Sequence, residues 1–175
     1  MNRYDIASLL EKNHTAFIQQ LNELDDNALY HSPVEKWSAI QHADHIYRSV
    51  APVNLALWIP KFFIRKKFGV ANRPSGTWDE LIARYKTKLA EGGKAIGPFV
   101  PPATPEVSKE VLLRRLSRVV YKLNRKVKRH SEESLDRYIL PHPLLGKLTL
   151  REMLYFTVYH VQHHSDVVKK GLETK

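Results

Sequence analysis

Residues 109–130, KEVLLRRLSRVVYKLNRKVKRH, show the clearest periodicity in the sequence. Apolar residues recur there every three or four positions, and since an α-helix turns by about 100° per residue they share one face. Basic residues occupy the opposite face. The pattern predicts a long amphipathic helix that packs one side against a core, and it favours an all-α fold. The apolar positions are Leu112, Leu116, Val119, Val120, Leu123 and Val127, and the basic positions are Arg114, Arg118, Lys122, Arg125 and Arg129.

Two further long helices are predicted before this one. Residues 4–24 place apolar side chains at helical spacing and predict a core helix. A second helix is expected to begin after Ser38, whose hydroxyl can accept a hydrogen bond from the first turn. Pro52 is expected to kink or end the second helix, because proline lacks the amide hydrogen and clashes with the preceding turn.

The last long helix is predicted to begin near residue 149. Thr149 and Glu152 have the spacing of a capping box, and Gly171 is expected to close the helix. The segment LPHPLLGK, residues 140–147, has the composition of a turn. No segment of the sequence makes a convincing strand, so the fold class stays all-α.

Residues 61–108 form a long connection that is rich in glycine and proline. Within it, Thr77 and Glu80 have capping-box spacing and predict one short helix. A crossover of this length lets the flanking helices run in the same direction. The sequence therefore predicts a four-helix bundle with a long crossover connection between helices two and three, and this connection contains a short extra helix.

Length and composition suit one soluble domain over residues 1–175, since 43% of the residues are hydrophobic and 26% are charged. The chain has no cysteine, which excludes disulfides, thiolate metal sites and a cysteine nucleophile. The amino-terminal residues lack the apolar run of a signal peptide, so a cytoplasmic location is expected. The longest apolar stretch, residues 49–64, is shorter than the roughly 18 residues of a membrane span, and no membrane association is predicted.

The formal net charge of +10 raises the possibility of an acidic partner such as nucleic acid. Most of the excess lies in residues 109–129, opposite the apolar stripe. We favour a solvated outer face there, because surface helices have this pattern. Tyr121 is the one aromatic residue among these cations, so base stacking has little support and nucleic acid is not expected as a partner. A non-enzymatic basic binding module is the rival hypothesis.

His160 and His164 stand four positions apart in the last predicted helix. Residues at this spacing lie one turn above each other, so both rings can point at one metal ion. The spacing alone is weak evidence, since buried histidines are usually only hydrogen-bonded. His163 falls on another side of the helix and is treated as a flanking residue. The other histidines away from these helices are treated as structural or surface residues: His14, His31, His130 and His142, the last as a feature of a turn.

A third ligand is expected from the second helix, where His42, Asp44 and His45 are candidates. His45 is preferred because it follows Trp37 by slightly more than two turns and so shares the apolar face. Ligands in helical bundles project inward from facing helices. His45, His160 and His164 would make a three-histidine site with an open fourth position, as in catalytic zinc centres.

Two stretches carry a resemblance to a known family. KWSAIQHADHI (residues 36–46) resembles the second helix of the DinB-like superfamily, and PHPLLGKLTLREMLYFTVYHVQHH (residues 141–164) resembles the turn and last helix. The resemblance implies a four-helix bundle, often a homodimer. It also implies a divalent metal ion, zinc or nickel in particular, held by His45, His160 and His164. Gln41 departs from the pattern, because relatives often carry glutamate there.

The resemblance further implies an activity, since described relatives transfer low-molecular-weight thiols such as bacillithiol or mycothiol to electrophiles. The leading hypothesis is therefore a metal-dependent enzyme that transfers such a thiol to an electrophilic small-molecule substrate. Metal-assisted hydrolysis would use the same ligands and remains an alternative. Asp44, Gln162 and Asp166 are available to hold the second ring nitrogens of the ligands.

Overall fold

The structure, a computed structural model, describes residues 1–32 and 36–173. Most of these residues are helical, and one short hairpin precedes the last helix. The helices are α1 (Arg3–Asn22), α2 (Asp26–Tyr30), α3 (Ala39–Ala56), α4 (Lys61–Phe68), α5 (Trp78–Ala90), α6 (Lys109–Arg129), α7 (Glu132–Arg137) and α8 (Leu150–Glu173), the strands are β1 (Ile139–His142) and β2 (Gly146–Thr149), and a 3-10 turn covers Gly97–Phe99.

The four long helices α1, α3, α6 and α8 form the predicted bundle. Helices α6 and α8 each pack against both α1 and α3, and α5 packs on α8. Buried apolar side chains from all four make one continuous cluster. The all-α four-helix fold and the helix inside the long connection are confirmed. The single domain over residues 1–175 stays a prediction, and none of the described helices is long and apolar enough to cross a bilayer.

Helix α6 has the two faces that its sequence predicts. Every residue of the apolar stripe is buried, from Leu112 to Val127. The basic residues of the opposite face are exposed to solvent. Lys126, which lies between these faces, donates to the Asn54 carbonyl of α3. The apolar stripe therefore fixes α6 in the bundle, and the cations form its outer surface.

Side-chain caps place the start of α3 where the sequence predicts it. The Ser38 hydroxyl accepts a hydrogen bond from the Gln41 amide, and the Gln41 side-chain oxygen accepts one from the Ser38 amide. An amide oxygen thus serves in the capping box as a carboxylate would. The Gln41 side-chain nitrogen also donates to the Pro102 carbonyl at 3.0 Å, which ties the long connection to α3.

The expectation that Pro52 kinks or ends α3 is wrong as to the end, and the expected end of α8 at Gly171 is wrong. Helix α3 continues through Pro52 to Ala56, since burial of Val50 and Val53 against the core offsets the backbone hydrogen bond that proline cannot make. Helix α8 continues through Gly171 to Glu173. Gly171 lacks the left-handed backbone of a C-cap glycine, so it lies inside the helix instead of ending it.

The segment before α8 is a two-stranded antiparallel hairpin, which the sequence did not indicate. Ile139 pairs with Thr149 at its base, and His142 pairs with Gly146 at the turn. The His142 Nδ1 atom accepts hydrogen bonds from the Leu144 and Leu145 amides at 3.1 Å each, so its role in the turn is confirmed. The short helices α2, α4 and α7 were also not predicted.

Candidate metal centre

Three imidazole rings meet between α3 and α8. The Nε2 atom of His160 lies 3.1 Å from that of His45 and 3.0 Å from that of His164. All three side chains are buried, with exposed fractions of 5 to 7%. They form a group that could hold a metal ion. The structure therefore brings together the three residues predicted as ligands. They come from two helices, and His45 is more than a hundred positions from the other two in the chain.

Helix geometry and packing produce this convergence. His160 and His164 are one turn apart on the face of α8 that packs against α3. His45 enters from α3, and the Trp37 ring lies beside it with the ring centroids 4.9 Å apart. On the other side, the Phe156 ring stacks on His160 at 4.6 Å. Aromatic neighbours on two sides limit the rotation of the rings.

Two of the separations among the three nitrogens fit a tetrahedral ion. Zinc bound by histidine at about 2.0–2.1 Å places two ligand nitrogens about 3.3 Å apart. The observed distances of 3.1 and 3.0 Å are close to this value. The donor set contains only imidazole nitrogens, which suits zinc, copper, iron or nickel better than magnesium or calcium. The residues present therefore fit a divalent transition metal.

Burial also sets the protonation state that metal binding requires. Desolvation lowers the pKa of His160 and of His164 well below 6.5, and the charges of neighbouring histidines lower both further. Desolvation lowers the pKa of His45 as well, against an opposing hydrogen bond to the backbone of Phe99. Near neutral pH the three rings are neutral, so each can offer a nitrogen lone pair to an ion.

The second ring nitrogens of two of these histidines have defined partners. The Nδ1 atom of His45 lies 2.6 Å from the Phe99 carbonyl oxygen, so it carries the hydrogen and donates it. The Nδ1 atom of His164 lies 2.7 Å from Nδ1 of His42. When His164 uses Nε2 as a ligand, its Nδ1–H donates to His42. Both contacts leave Nε2 as the nitrogen that faces the centre.

The partners expected from the sequence are not the ones used. Asp44 pairs with Arg48 of its own helix, and Gln162 and Asp166 are exposed. Phe99 was missed because it acts through a backbone carbonyl, which no side-chain pattern reveals. His42 was weighed only as a ligand, although its position one turn before His45 was a usable signal.

The remaining histidines lie outside the group of three. His163 follows on α8 with its ring near Tyr85 at 5.8 Å and near His164 at 5.1 Å. His142 packs on Phe156 at 4.2 Å. His14 is buried in α1 and its Nδ1 atom donates to the Leu10 carbonyl. These contacts agree with the flanking and structural roles expected for them.

The three histidines form part of the wall of a large cavity. Its volume is about 950 Å³, toward the upper end of the range of about 300–1000 Å³ for small-molecule sites. Helices α3 and α8, the hairpin and the segment after α5 contribute to the wall. Apolar side chains dominate it, among them Val53, Leu89, Ile96, Leu140, Met153 and Val168. A small molecule in this cavity would touch the histidines directly.

Comparison with known proteins places this geometry in a family. A family profile described as the DinB superfamily matches residues 9–167, which include all three histidines and both helices that carry them. No curated protein and no solved structure matches the chain. The matched range covers most of the 175 residues, and its helical fold is the one observed. On this match over nearly the whole chain, the protein belongs to the DinB superfamily.

Proposed function

We propose that the protein is a metal-dependent enzyme that binds one divalent ion, zinc or nickel, through Nε2 of His45, His160 and His164. The observation that carries this proposal is the approach of three buried, neutral imidazole nitrogens to 3.0 and 3.1 Å on the wall of a cavity. Two of the rings have Nδ1 partners that hold Nε2 toward the centre. The fourth coordination position would face the cavity and its small-molecule substrate.

The reaction that we propose is transfer of a low-molecular-weight thiol to an electrophilic substrate. The chain has no cysteine, so the sulfur nucleophile must arrive as a second small molecule. In the transfer a carbon–sulfur bond forms, the bond from that carbon to the leaving group breaks, and the thiol proton departs with the released group. A bound ion would supply the acidity that makes a thiolate available near neutral pH. The apolar wall would exclude water from the electrophile.

Metal content tests the ligand set. Purified wild-type protein should contain about one divalent ion per chain by elemental analysis, and the double variant His160→Ala, His164→Ala should contain none. His163→Ala is the matched control, because it removes a neighbouring imidazole of the same helix that is outside the group. Unchanged metal content in the double variant would eliminate the proposed site.

Product analysis separates thiol transfer from hydrolysis. Bacillithiol, glutathione and related thiols are screened by thermal shift with metal-loaded protein, since a ligand of the native state raises apparent stability. The stabilising thiol is then incubated with an electrophile, and mass spectrometry should detect the thioether only when protein, ion and thiol are all present. Metal-dependent consumption of the electrophile without any thiol would instead support the hydrolase.

We also propose that the protein is a homodimer, as the resemblance implies. Leu55, Trp58, Phe62 and Phe63 expose 57 to 73% of their surface around the start of α4, and an apolar surface of this kind is stabilised by association. Light scattering after size exclusion should give twice the chain mass for wild type and the single-chain mass for the double variant Trp58→Glu, Phe62→Glu. Tyr121→Glu, on the exposed face of α6, should leave the dimer intact. A wild-type mass of one chain at micromolar concentration would remove this proposal.

A further inference from the structure

We propose that the cavity takes an apolar chain with an anionic end, of the class of medium- and long-chain carboxylates, and that the anion lies against Lys67. This inference rests on the proposed function for one point only, that the reactive end of the molecule lies at the three histidines. It names a substrate class for that site. Three features of the described residues carry it: the shape of the cavity, its wall and the sign of its charge.

The first feature is length. The cavity is lined along α8 from Met153, past His160, to Leu172. At 1.5 Å per residue, Met153 lies about 10 Å from His160 along the helix axis. On α3 the lining extends beyond His45 as far as Ala56, and the distance from His45 to Ala56 along the helix axis is about 16 Å. The part of the cavity between the histidines and the carboxyl end of α3, called the α4 arm below, is therefore elongated.

The second feature is the wall of the α4 arm, which is mostly apolar; Ser49 also lines it, and its hydroxyl donates to the His45 carbonyl of the same helix. Helix α3 contributes Val53 and Ala56, and the residues that follow it contribute Ile59. The hairpin contributes Leu140, and α8 contributes Met153. A polar substrate would lose its hydration here without replacement hydrogen bonds, whereas an alkyl or aryl body gains from burial.

The third feature is charge. The described residues that line the cavity include no aspartate or glutamate, but they include Lys36, Lys67 and Lys94. All three lysines are exposed, so they lie at its rim. A rim of one sign beside low-dielectric walls attracts the opposite charge. The cavity therefore favours an anion at its mouth and disfavours a cation.

Lys67 is the lysine at the end of the α4 arm. It lies in the last turn of α4, which also carries Arg65 and Lys66. Its neighbour Phe68 lines the cavity as well. The chain beyond Phe68 meets the hairpin, where Val70 forms a bridge with Tyr138, and Leu140 follows two residues later. Lys67 is thus placed near the hairpin, at the end of the arm away from the histidines.

Calorimetric titration with two probes tests the proposal. Dodecanoate is the anionic probe and dodecan-1-ol its neutral counterpart, each titrated into zinc-loaded wild-type protein. We expect both to bind and dodecanoate to bind more tightly. Lys67→Glu should weaken dodecanoate about tenfold and leave dodecanol unchanged within about twofold. Lys66→Glu is the matched control, since Lys66 has the same charge, helix and exposure but does not line the cavity.

A second variant tests the apolar arm independently of charge. Ala56→Phe fills the arm from the end of α3 and should weaken both probes about equally. Ala83→Phe, on the exposed face of α5, should weaken neither. Circular dichroism checks whether each variant folds. If Ala56→Phe does not fold, Ile59→Trp, at a partly exposed position that also lines the arm, replaces it.

Repeating the titrations on chelator-treated protein distinguishes the two proposals. Dodecanoate binding that is sensitive to Lys67→Glu with and without zinc supports the substrate class, even if the metal proposal fails. Failure of dodecanoate to bind a protein that does hold zinc overturns the substrate class and leaves the metal site standing. If dodecanoate binds only in the presence of zinc and with the same affinity in Lys67→Glu, its carboxylate lies on the ion, which also overturns the inference.

Discussion

The first turn and the middle of α8 bury polar side chains for different reasons. In its first turn, Arg151 and Glu152 are buried with complementary partners from elsewhere in the chain: Asp136 and Glu132 for the arginine, Arg73 and two backbone amides for the glutamate. Two turns later, His160 and His164 direct their Nε2 atoms at each other and at His45. The polar atoms of the first group are paired by hydrogen bonds with protein partners. The converging nitrogens of the second group are best paired by a bound ion.

This contrast separates burial that stabilises the fold from burial at the candidate metal centre. A buried carboxylate that accepts several hydrogen bonds stabilises the native state and leaves nothing for a ligand. Three neutral imidazoles with converging lone pairs contribute little to folding until an ion is bound, when binding free energy adds to stability.

The largest expected effect is a loss of stability at the start of α8. Glu152 is 1% exposed and accepts from the Arg73 guanidinium at 2.6 and 3.0 Å and from the Gly76 and Thr149 amides at 2.8 Å each. Glu152→Ala leaves the buried Thr149 amide and the partly buried Gly76 amide and Arg73 guanidinium without an acceptor, and it should lower the free energy of unfolding by about 3 kcal/mol in denaturant titration. Metal content of the folded fraction should not change.

Glu133→Ala is the matched control for this prediction. Glu133 pairs with Arg137 at 3.4 Å, and both side chains are more than half exposed. Its loss should change the free energy of unfolding by less than about 0.5 kcal/mol. If Glu152→Ala changed stability as little as Glu133→Ala, the ion pair in the first turn of α8 would contribute no more than a surface pair. The contrast between the first turn and the middle of α8 would then be lost.

A second effect, of similar size at pH 4 but absent at neutral pH, is expected at His14, a buried histidine outside the candidate metal centre. Burial lowers the pKa of His14 to about 4 from its ordinary value of 6.5, against a hydrogen bond to the Leu10 carbonyl that acts to raise it. The unfolded chain therefore binds this proton between pH 6.5 and 4 and the native state does not. Stability is complete above pH 6.5 and falls as the pH drops toward 4.

His14→Leu removes this contribution and should recover about 3 kcal/mol of the acid-induced loss at pH 4, relative to pH 7.5. The measurement is denaturant unfolding of metal-free protein at both pH values, so that release of an ion does not contribute. His31→Leu, at an exposed histidine, is the control and should follow wild type. Parallel curves for wild type and His14→Leu would mean that His14 is protonated in the native state.

The parts of the structure that depend on near neighbours could be predicted from the sequence. The apolar stripe of α6, the caps at Ser38, Thr77 and Thr149, and the pairing of His160 with His164 all follow from helical spacing within a few turns. Selecting His45 as the third ligand also depended on predicting a bundle, because only the packing of α3 against α8 brings His45 next to His160.

The parts that depend on distant chain segments could not be predicted. The hairpin before α8 has four residues per strand and a proline, so its pattern is too short to separate from a turn. The continuation of α3 beyond Pro52 depends on burial against other helices. The Phe99 carbonyl reaches His45 from 54 positions away and has no side-chain signature. Tertiary packing decides each of these features.

The smallest expected effect is on zinc affinity at the candidate metal centre, and it concerns His42. Its Nδ1 atom accepts from Nδ1–H of His164 at 2.7 Å, and its ring packs on Trp37 at 5.5 Å. His42→Phe keeps an aromatic ring there but removes the acceptor, which leaves the His164 donor unpaired and its ring free to use either nitrogen. Zinc affinity, measured by competition with a chromophoric chelator, should fall about 10- to 100-fold. His42→Gln restores a side-chain acceptor and should recover most of the affinity. Equal zinc affinities for wild type and His42→Phe would show that packing alone orients His164, and His42 would then belong with His14 among the structural histidines.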